Sequence, residues 1–404
     1  KGSFSNVHEI TKIAASEDSD CDVSWNGESD SKHDLDSQGV RKTKSGSGKG
    51  GGADPRKILS LHHRRNDETG TCRYAVKFLK EEICTTPEKY AVGTADLVVE
   101  GMFLASLAHP NIIKVKGLPE GGVKCLKKGQ FPGYFLILDR LFDTLADRIY
   151  KVWSKEHPLA VKRKFLFVKD RKQRVRRDES LAIRLKVAFD ISAALKFLHS
   201  KSIIYRDLKP ENLGFDVRGD IKLFDLGLVK ELRPHKRDDQ GNYKLSMAGT
   251  PRYMAPECGM YQPYNLSADV YSFSMLLWEI ISLVKPLKDF TYTQLKNEIF
   301  IEGERPPINK IFNKKLRALV SSGWSQTPEN RPSIDQIYDA LGGEYLRLAP
   351  AGSVLQSQMS HNRRRSTYVA QRITNMSVRH LMRLNTVESE IGVGSGDKKK
   401  RGSK

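Results

Sequence analysis

The sequence is poor in cysteine and has no long apolar run. Its five cysteines are scattered among 404 residues, at positions 21, 72, 84, 125 and 258. Their number and spacing exclude a disulfide framework and a paired CxxC zinc site, and they favour a reducing compartment. No apolar stretch reaches the roughly 18 residues that a membrane span requires. We therefore expect a cytoplasmic protein without an integral membrane segment.

Apolar residues are also few, at 39%, whereas charged residues make up 29% and the net charge is +20. The positive charge is concentrated, because segments 151–177 and 345–404 each carry a net charge of +9. Segment 16–70 carries −2, and the remaining 262 residues carry only +4. A nucleic-acid-binding domain would itself be basic, so nucleic acid is not an expected partner.

Segment 16–70 contains too little apolar surface to offset the entropy of ordering, and we predict a disordered insert there. Its glycine-rich run at 46–52 is not a phosphate-binding loop, because Lys49 is followed by Gly50 and no apolar strand precedes the run.

The rest of the chain alternates between two periodicities. Strand-like runs stand at 73–79 and 134–141, and helical apolar spacing marks 95–107, 181–200 and 267–284. Because strands come first and helices later, the pattern favours an α+β fold in two lobes.

Polar motifs follow one another in a fixed order between these elements. They are YAVK at 74–77, Glu100, YRDLKPEN at 205–212, DLG at 225–227, GTPRYMAPE at 249–257, Asp269, and Arg331 within ENRPS. Taken together they resemble a eukaryotic protein kinase of the serine/threonine type, and the segment around Asp269 is most similar to the tyrosine-kinase-like group. The octet at 205–212, followed by an apolar-flanked DLG, is the most specific part of the resemblance.

The resemblance implies one kinase domain over residues 1–343. It would have a small N-lobe, an antiparallel sheet with one main helix, over 1–138, and a hinge at 139–141. A larger, mostly helical C-lobe would fill 142–343, with the basic segment 151–177 as a surface insert. The basic tail 344–404 is expected to be disordered.

The chain begins with KGSFSNV, which resembles the second half of a kinase glycine-rich loop, with Gly2 and Val7 at matching positions. We therefore expect the chain to be a fragment that lacks the first strand and half of this loop.

The resemblance also implies ATP and Mg²⁺ as cofactors and assigns the chemistry. Lys77, paired with Glu100, would hold the α and β phosphates, and Asp225 and Asn212 would ligate Mg²⁺. Asp207 would accept the proton of the attacking hydroxyl group. Beside it, Lys209 would stabilise the transferring phosphoryl group.

The adenine site is expected between the lobes. Val7, Ala75 and Leu213 would line it, Leu138 matches the gatekeeper, and the backbone of Asp139 and Leu141 would bond the base. Gly214 departs from the family pattern, which has a larger apolar residue at that position.

Regulation is expected at Arg206, Ser246 and Thr250. A phosphate on Ser246, added by an upstream kinase or by autophosphorylation, would pair with Arg206 and order the loop 225–257. The alternative is an ordinary loop serine, and Tyr243 is a second candidate. Lys209 together with Thr250 is typical of kinases that phosphorylate Ser and Thr.

Other matched residues are expected to support the scaffold. Glu257 and Arg331 match a buried ion pair, and Asp269 would anchor the backbone at Tyr205 and Arg206. An apolar stack linking the lobes would consist of Leu104, Val115, Tyr205 and Leu226.

Two functional hypotheses come from the sequence. The first is a kinase that acts on protein Ser/Thr hydroxyl groups. The alternative is a catalytically silent scaffold that recruits partners through its charged insert and tail. The basic insert could meet an acidic partner, a membrane surface or nucleic acid, or could be a solvated loop. Residues 398–401 resemble a short nuclear-import signal.

Overall fold

The computed structural model describes residues 5–9, 74–83, 86–119, 134–156 and 171–349. The predicted insert 16–70, the import motif and most of the predicted tail lie outside these residues.

The N-terminal lobe is built on one antiparallel sheet. Its strands are β1 (Ser5–Glu9), β2 (Tyr74–Leu79), β3 (Val115–Gly117) and β4 (Phe135–Asp139), in the order β1-β2-β4-β3. Five of the six residues of β2 are buried, because this strand lies between two neighbours. That position explains why its sequence is apolar almost throughout.

One long helix, α1 (Pro87–Ser106), accompanies this sheet. A proline in its first turn and Glu88 beside it are favourable at a helix N-terminus. The buried residues Leu97, Glu100 and Leu104 recur at helical spacing and form its inner face. The helix begins at Pro87, earlier than the apolar pattern at 95–107 predicts. The pattern does not show the first two turns, because most of their residues are exposed.

The C-terminal lobe is mostly helical. Its helices are α2 (Leu145–Asp147), α3 (Ser154–Glu156), α4 (Arg171–His199), α5 (Pro256–Gly259), α6 (Ser267–Ser282), α7 (Tyr292–Gln294), α8 (Lys314–Gly323) and α9 (Ile334–Leu348), with π-helical turns at Arg148–Trp153 and Leu295–Ile301. Short strands complete it: β5 (Asp143–Thr144), β6 (Ile203–Ile204), β7 (Leu213–Phe215), β8 (Ile221–Leu223) and β9 (Lys230–Glu231).

Helix α6 lies at the centre of this lobe. All of its residues after Ser267 are buried, and it packs against α4 and α8. The buried residues of both lobes form one continuous apolar cluster, in which Leu104 of α1 is joined with Tyr205 and Leu226. Val115 packs against this cluster, so the predicted stack belongs to the core that links the lobes.

These features confirm the predicted α+β fold with two lobes. Within the part of the chain that the structure describes, no helix has the length and apolar character needed to cross a bilayer.

Two predicted boundaries differ from the structure. The insert 151–177 is not wholly a connection, because its last seven residues open helix α4. That stretch contains Arg, Lys and Gln, which are good helix formers, and no Gly or Pro. The last helix, α9, continues past residue 343 to Leu348, because Tyr345 is fully buried and Glu344 accepts a hydrogen bond from Asn313 at 2.8 Å.

Candidate active site

A buried lysine connects the two lobes at the cleft. Lys77 on β2 donates to Oε2 of Glu100 on α1 at 2.7 Å and to Oδ1 of Asp225 at 3.0 Å. Burial by itself lowers the pKa of the Lys77 ammonium group, but the carboxylates of Glu100 and Asp225 outweigh burial and raise this pKa. Lys77 therefore stays charged at neutral pH.

The backbone around Asp225 is held in an unusual conformation. Asp225 has a φ of +58°, in the left-handed region that Asp tolerates better than most residues. The next residue, Leu226, is fully buried, and its N–H donates to Oε1 of Glu100 at 3.3 Å. Glu100 therefore contacts both Lys77 and the backbone beside Asp225, so it fixes the position of both.

Asp207 is the centre of a second polar cluster. Its Oδ2 accepts from Lys209 Nζ at 2.7 Å and from Asn212 Nδ2 at 2.9 Å. Its Oδ1 accepts from Thr250 Oγ1 at 2.7 Å, and Lys209 also donates to Thr250 Oγ1 at 2.9 Å. The carboxylate is therefore oriented from three sides, which limits its rotation at the mouth of the cleft.

Asp269, fully buried on α6, orients the backbone that leads to Asp207. Its Oδ2 accepts from the Tyr205 N–H at 2.8 Å, and its Oδ1 accepts from the Arg206 N–H at 2.9 Å. His199 Nε2 lies 3.0 Å from the same Oδ2. Arg206 has a φ of +73°, a strained conformation that these hydrogen bonds stabilise. The anchoring role expected for Asp269 agrees with these contacts.

The Arg206 side chain extends to the loop 225–257. Its Nε donates to the Leu228 carbonyl at 2.5 Å, and its NH1 lies 3.5 Å from Ser246 Oγ. The structure thus brings together Arg206 and Ser246, although they are forty residues apart in sequence. NH1 also lies 3.3 Å from the hydroxyl oxygen of Tyr264.

Gly249 has to be glycine for this loop to lie so close to Arg206. Its φ is +111°, and a Cβ at this position would lie 2.3 Å from the Arg206 carbonyl oxygen. A side chain here would push the loop away from the segment that holds Asp207.

Two buried acids fix the position of segment 249–257, one at its end and one on α6. Glu257 forms a two-pronged ion pair with Arg331, at 2.7 and 2.9 Å, which agrees with the expected pair. Glu279 on α6 accepts hydrogen bonds from the hydroxyl groups of Tyr150 and, at 2.7 Å, Tyr253. Burial raises the pKa of Glu279 well above its ordinary value.

The contacts of Glu279 and Tyr264 were not predicted from the sequence. The apolar surroundings of Glu279 in helix α6 are the only signal that could have identified a buried acid. Tyr264 donates to the Ser246 carbonyl at 2.9 Å and contacts Arg206, but nothing in its local sequence predicts that role.

The residues expected around the base lie at the inner face of the N-terminal sheet. Ala75 precedes Lys77 by two positions on β2, and Val7 on β1 is directly opposite Lys77 in the register. All three therefore lie on the same face of the sheet. Leu138 is opposite Ala75 on β4 and is buried.

The hinge at 139–141 and strand β7 lie next to the expected base site. The Asp139 N–H donates to the Lys114 carbonyl at 3.2 Å, so this N–H is already occupied. Leu141 is half-buried and packs against the core. Leu213, which was expected to line the base site, has no exposed surface, because it packs into the core beneath the hinge. Gly2 lies outside the described residues.

The groups expected to bind Mg²⁺ provide oxygen ligands at one end of the cleft. The Asp225 side chain is 31% exposed, and Asn212 uses its amide nitrogen on Asp207, so its amide oxygen is the potential ligand. Such oxygens suit a hard divalent cation. Across the described ranges, no cluster of three or more His, Cys, Asp or Glu side chains could hold a metal ion alone. A cation here would therefore need further ligands, such as water or phosphate oxygens.

Comparisons with known proteins agree with this geometry. A family model described as protein kinase domain matches residues 61–341. The dual specificity protein kinase shkB of Dictyostelium discoideum is 37% identical over 153 residues, which cover 37% of this chain and 23% of that protein.

Two plant proteins from Arabidopsis thaliana are also similar. The serine/threonine/tyrosine-protein kinase HT1 is 28% identical over 280 residues, 67% of this chain and 70% of HT1. The serine/threonine-protein kinase STY17 is 34% identical over 157 residues, 39% of this chain and 26% of STY17. The chain thus spans less than a third of the length of shkB and of STY17.

Proposed function

The chain belongs to the protein kinase domain family, of the tyrosine-kinase-like type, and on that basis we propose that it transfers the γ-phosphoryl group of ATP to Ser and Thr hydroxyl groups of proteins. The observation that carries this proposal is the convergence of Lys77, Glu100 and Asp225. These residues come from a strand, a helix and a loop, yet Lys77 Nζ lies within 3.0 Å of both carboxylates.

In the proposed reaction, the protein supplies position and charge. Lys77 binds the α and β phosphates, and Glu100 holds its ammonium group in place. Mg²⁺, held by Asp225 and Asn212, would neutralise phosphate charge when it is bound with ATP. Val7 would cover the nucleotide from above.

Asp207 would orient the attacking hydroxyl group and accept its proton, while the new oxygen–phosphorus bond forms and the bond from the γ phosphorus to the bridging oxygen breaks, so that ADP leaves. Lys209 Nζ, 2.7 Å from Asp207 Oδ2, can reach the transferring phosphoryl group and stabilise its negative charge. Lys209 and Thr250 are both hydrogen-bonded to Asp207, and this pair of residues is typical of kinases that phosphorylate Ser and Thr. This arrangement supports Ser and Thr as acceptors, although the name of shkB describes that protein as dual specificity.

The silent-scaffold alternative requires that at least one catalytic group be lost or displaced. Each of Lys77, Glu100, Asp207, Asn212 and Asp225 is present and hydrogen-bonded within the cleft. No comparison favours a scaffold, and the arrangement supports catalysis.

We further propose that phosphorylation of Ser246 regulates the site. Arg206 NH1 already lies 3.5 Å from Ser246 Oγ, so a phosphate there would form charge-assisted hydrogen bonds with little movement of the guanidinium group. Thr250 follows Ser246 in the same loop and bonds Asp207, so ordering this loop would also set the position of the catalytic carboxylate.

Transfer of labelled phosphate from ATP to a Ser/Thr peptide library tests the proposed activity. We expect incorporation by the wild-type chain and none by Asp225→Asn, which removes the carboxylate charge needed for the cation. A matched control is Asp239→Asn, a change at an exposed loop residue, which should leave the rate unchanged. Equal activity of wild type and Asp225→Asn would contradict the proposed mechanism.

A further inference from the structure

The strand under the hinge has a glycine on the face that points into the cleft. Leu213 and Phe215 of β7 are both fully buried, and they point into the core of the C-terminal lobe. Because side chains alternate along a strand, position 214 faces the opposite way, toward the hinge. Gly214 therefore leaves the lower wall of the cleft without a side chain of its own.

A hinge side chain occupies that space instead. A Cβ added to Gly214 would lie 2.7 Å from Leu141 Cδ1 and 3.1 Å from Leu141 Cβ. It would also lie 3.3 Å from the Asp143 carbonyl oxygen. The first distance is shorter than van der Waals contact permits, so a side chain at position 214 and the present Leu141 rotamer exclude each other.

The upper wall is apolar as well. Val7 and Ala75 lie on the same face of the N-terminal sheet as Lys77, whose contact with Asp225 shows that this face looks into the cleft. Val7 is 60% exposed, a large value for an apolar residue on a sheet face. A flat aromatic base would cover it, provided that a second apolar surface lies below.

We propose that the Leu141 side chain forms this second surface and contacts the lower face of the adenine base, in the place of a side chain at position 214. The inference rests on the proposed binding of ATP. The base would lie between Val7 and Ala75 above and Leu141 below, so Leu141 would contact ATP through its side chain as well as through its backbone. The glycine is what allows the leucine to lie there.

A double-mutant cycle on the binding of Mg-ATP tests the proposal. Leu141→Ala removes the lower surface, and Gly214→Leu places a side chain against Leu141. We expect each single change to raise the Kd of Mg-ATP, measured by calorimetry, by about tenfold. The double variant carries the leucine on the strand instead of the hinge and retains only the 3.1 Å and 3.3 Å contacts with the Cβ of residue 141 and the Asp143 carbonyl oxygen, so it should bind Mg-ATP more tightly than either single variant.

Controls separate binding from folding. Gly343→Leu is the matched glycine change, because Gly343 is exposed on α9 and nothing lies within 4 Å of its added Cβ. It should leave the Kd unchanged. The melting temperature without nucleotide should differ little among Leu141→Ala, the double variant and the wild type. In steady-state assays, Leu141→Ala should raise the KM for ATP and leave kcat nearly unchanged, because Leu141 does not touch the reacting phosphate.

The outcomes distinguish this inference from the proposed function. If the wild-type chain fails to bind Mg-ATP, both are wrong. If the wild type binds and the double variant is weakened by the product of the two single effects, Leu141 does not replace a side chain at position 214. The proposed kinase activity would then stand without this inference. An unchanged Kd for Leu141→Ala also overturns the inference alone.

Discussion

Thr250 donates a hydrogen bond from its Oγ1 to Oδ1 of Asp207, with the two oxygens 2.7 Å apart. The two residues are separated by 43 positions, and the loop that carries Thr250 crosses the strained backbone at Arg206. The contact connects the proposed catalytic carboxylate directly with the loop that carries Ser246. A change in this loop can therefore reach Asp207 through a single hydrogen bond.

Replacing Thr250 with valine keeps the shape of the side chain and removes the hydroxyl group. We expect kcat for peptide phosphorylation to fall by about tenfold to a hundredfold, because Asp207 loses one of its orienting donors. The KM for ATP should change little. Thr250→Ser retains the hydroxyl group and should recover most of the rate. Equal loss in both variants would mean that the methyl group matters and the hydrogen bond does not.

The regulatory proposal predicts that Ser246→Ala lowers activity. In enzyme purified from stimulated cells, we expect a loss of about tenfold or more, because the phosphate that pairs with Arg206 is missing. Phosphatase treatment of the wild type should produce the same loss and should not affect Ser246→Ala further. Tyr243→Phe is the matched change in the same loop and should remain active. Full activity of Ser246→Ala would rule out the coupling.

The ion pair between Glu257 and Arg331 should be important for stability. The Arg331 side chain is fully buried, so Arg331→Met leaves Glu257 as an unpaired buried charge. We expect the free energy of unfolding to fall by about 3–5 kcal/mol. Arg347→Met is the control, because Arg347 pairs with Glu344 at 3.0 Å but is half-exposed. Arg347→Met should lower the free energy of unfolding by less than about 1 kcal/mol in denaturant titrations. Similar costs for the two variants would contradict this prediction.

Acid should destabilise the fold partly through His109. This ring is buried, its Nδ1 accepts from the Asn111 N–H at 3.1 Å, and it stacks on Phe197. Burial, with a smaller effect of Lys222, lowers the pKa of His109 to about 4. In the unfolded chain, the pKa of a histidine is about 6.5.

Between these two pKa values the unfolded chain binds a proton that folded His109 does not, so stability falls as pH falls. From pH 7 to pH 5 this residue should cost about 2 kcal/mol of unfolding free energy. Denaturant titrations at pH 7 and pH 5 should therefore show that His109→Gln loses less unfolding free energy between these two values than the wild type does. His235→Gln, at an exposed position, should behave like the wild type. The prediction is wrong if His109→Gln loses as much stability as the wild type.

The site could be predicted from the sequence wherever a residue type and its neighbours specify the chemistry. Lys77 on an apolar strand and Asp207 inside a polar octet are examples, since each is defined by residues within a few positions. The fold class was predictable for the same reason, because strand and helix periodicities are local. The start of α4 was not, because a run of basic residues is equally compatible with a solvated loop and with a helix.

Contacts between distant segments depended on the tertiary structure. The sequence contains Thr250, Glu279 and Tyr264, but nothing near them indicates that they contact Asp207, Tyr253 and Arg206.

The sequence by itself determined the candidate catalytic residues, their order, and the two-lobed α+β architecture. Only the tertiary structure showed that the Leu141 side chain occupies the space beside Gly214 and that Thr250 donates a hydrogen bond to Asp207. The physical reason is that periodicity and motifs report the local environment of a residue. Shape complementarity and hydrogen bonds between segments arise only when packing brings those segments within contact distance.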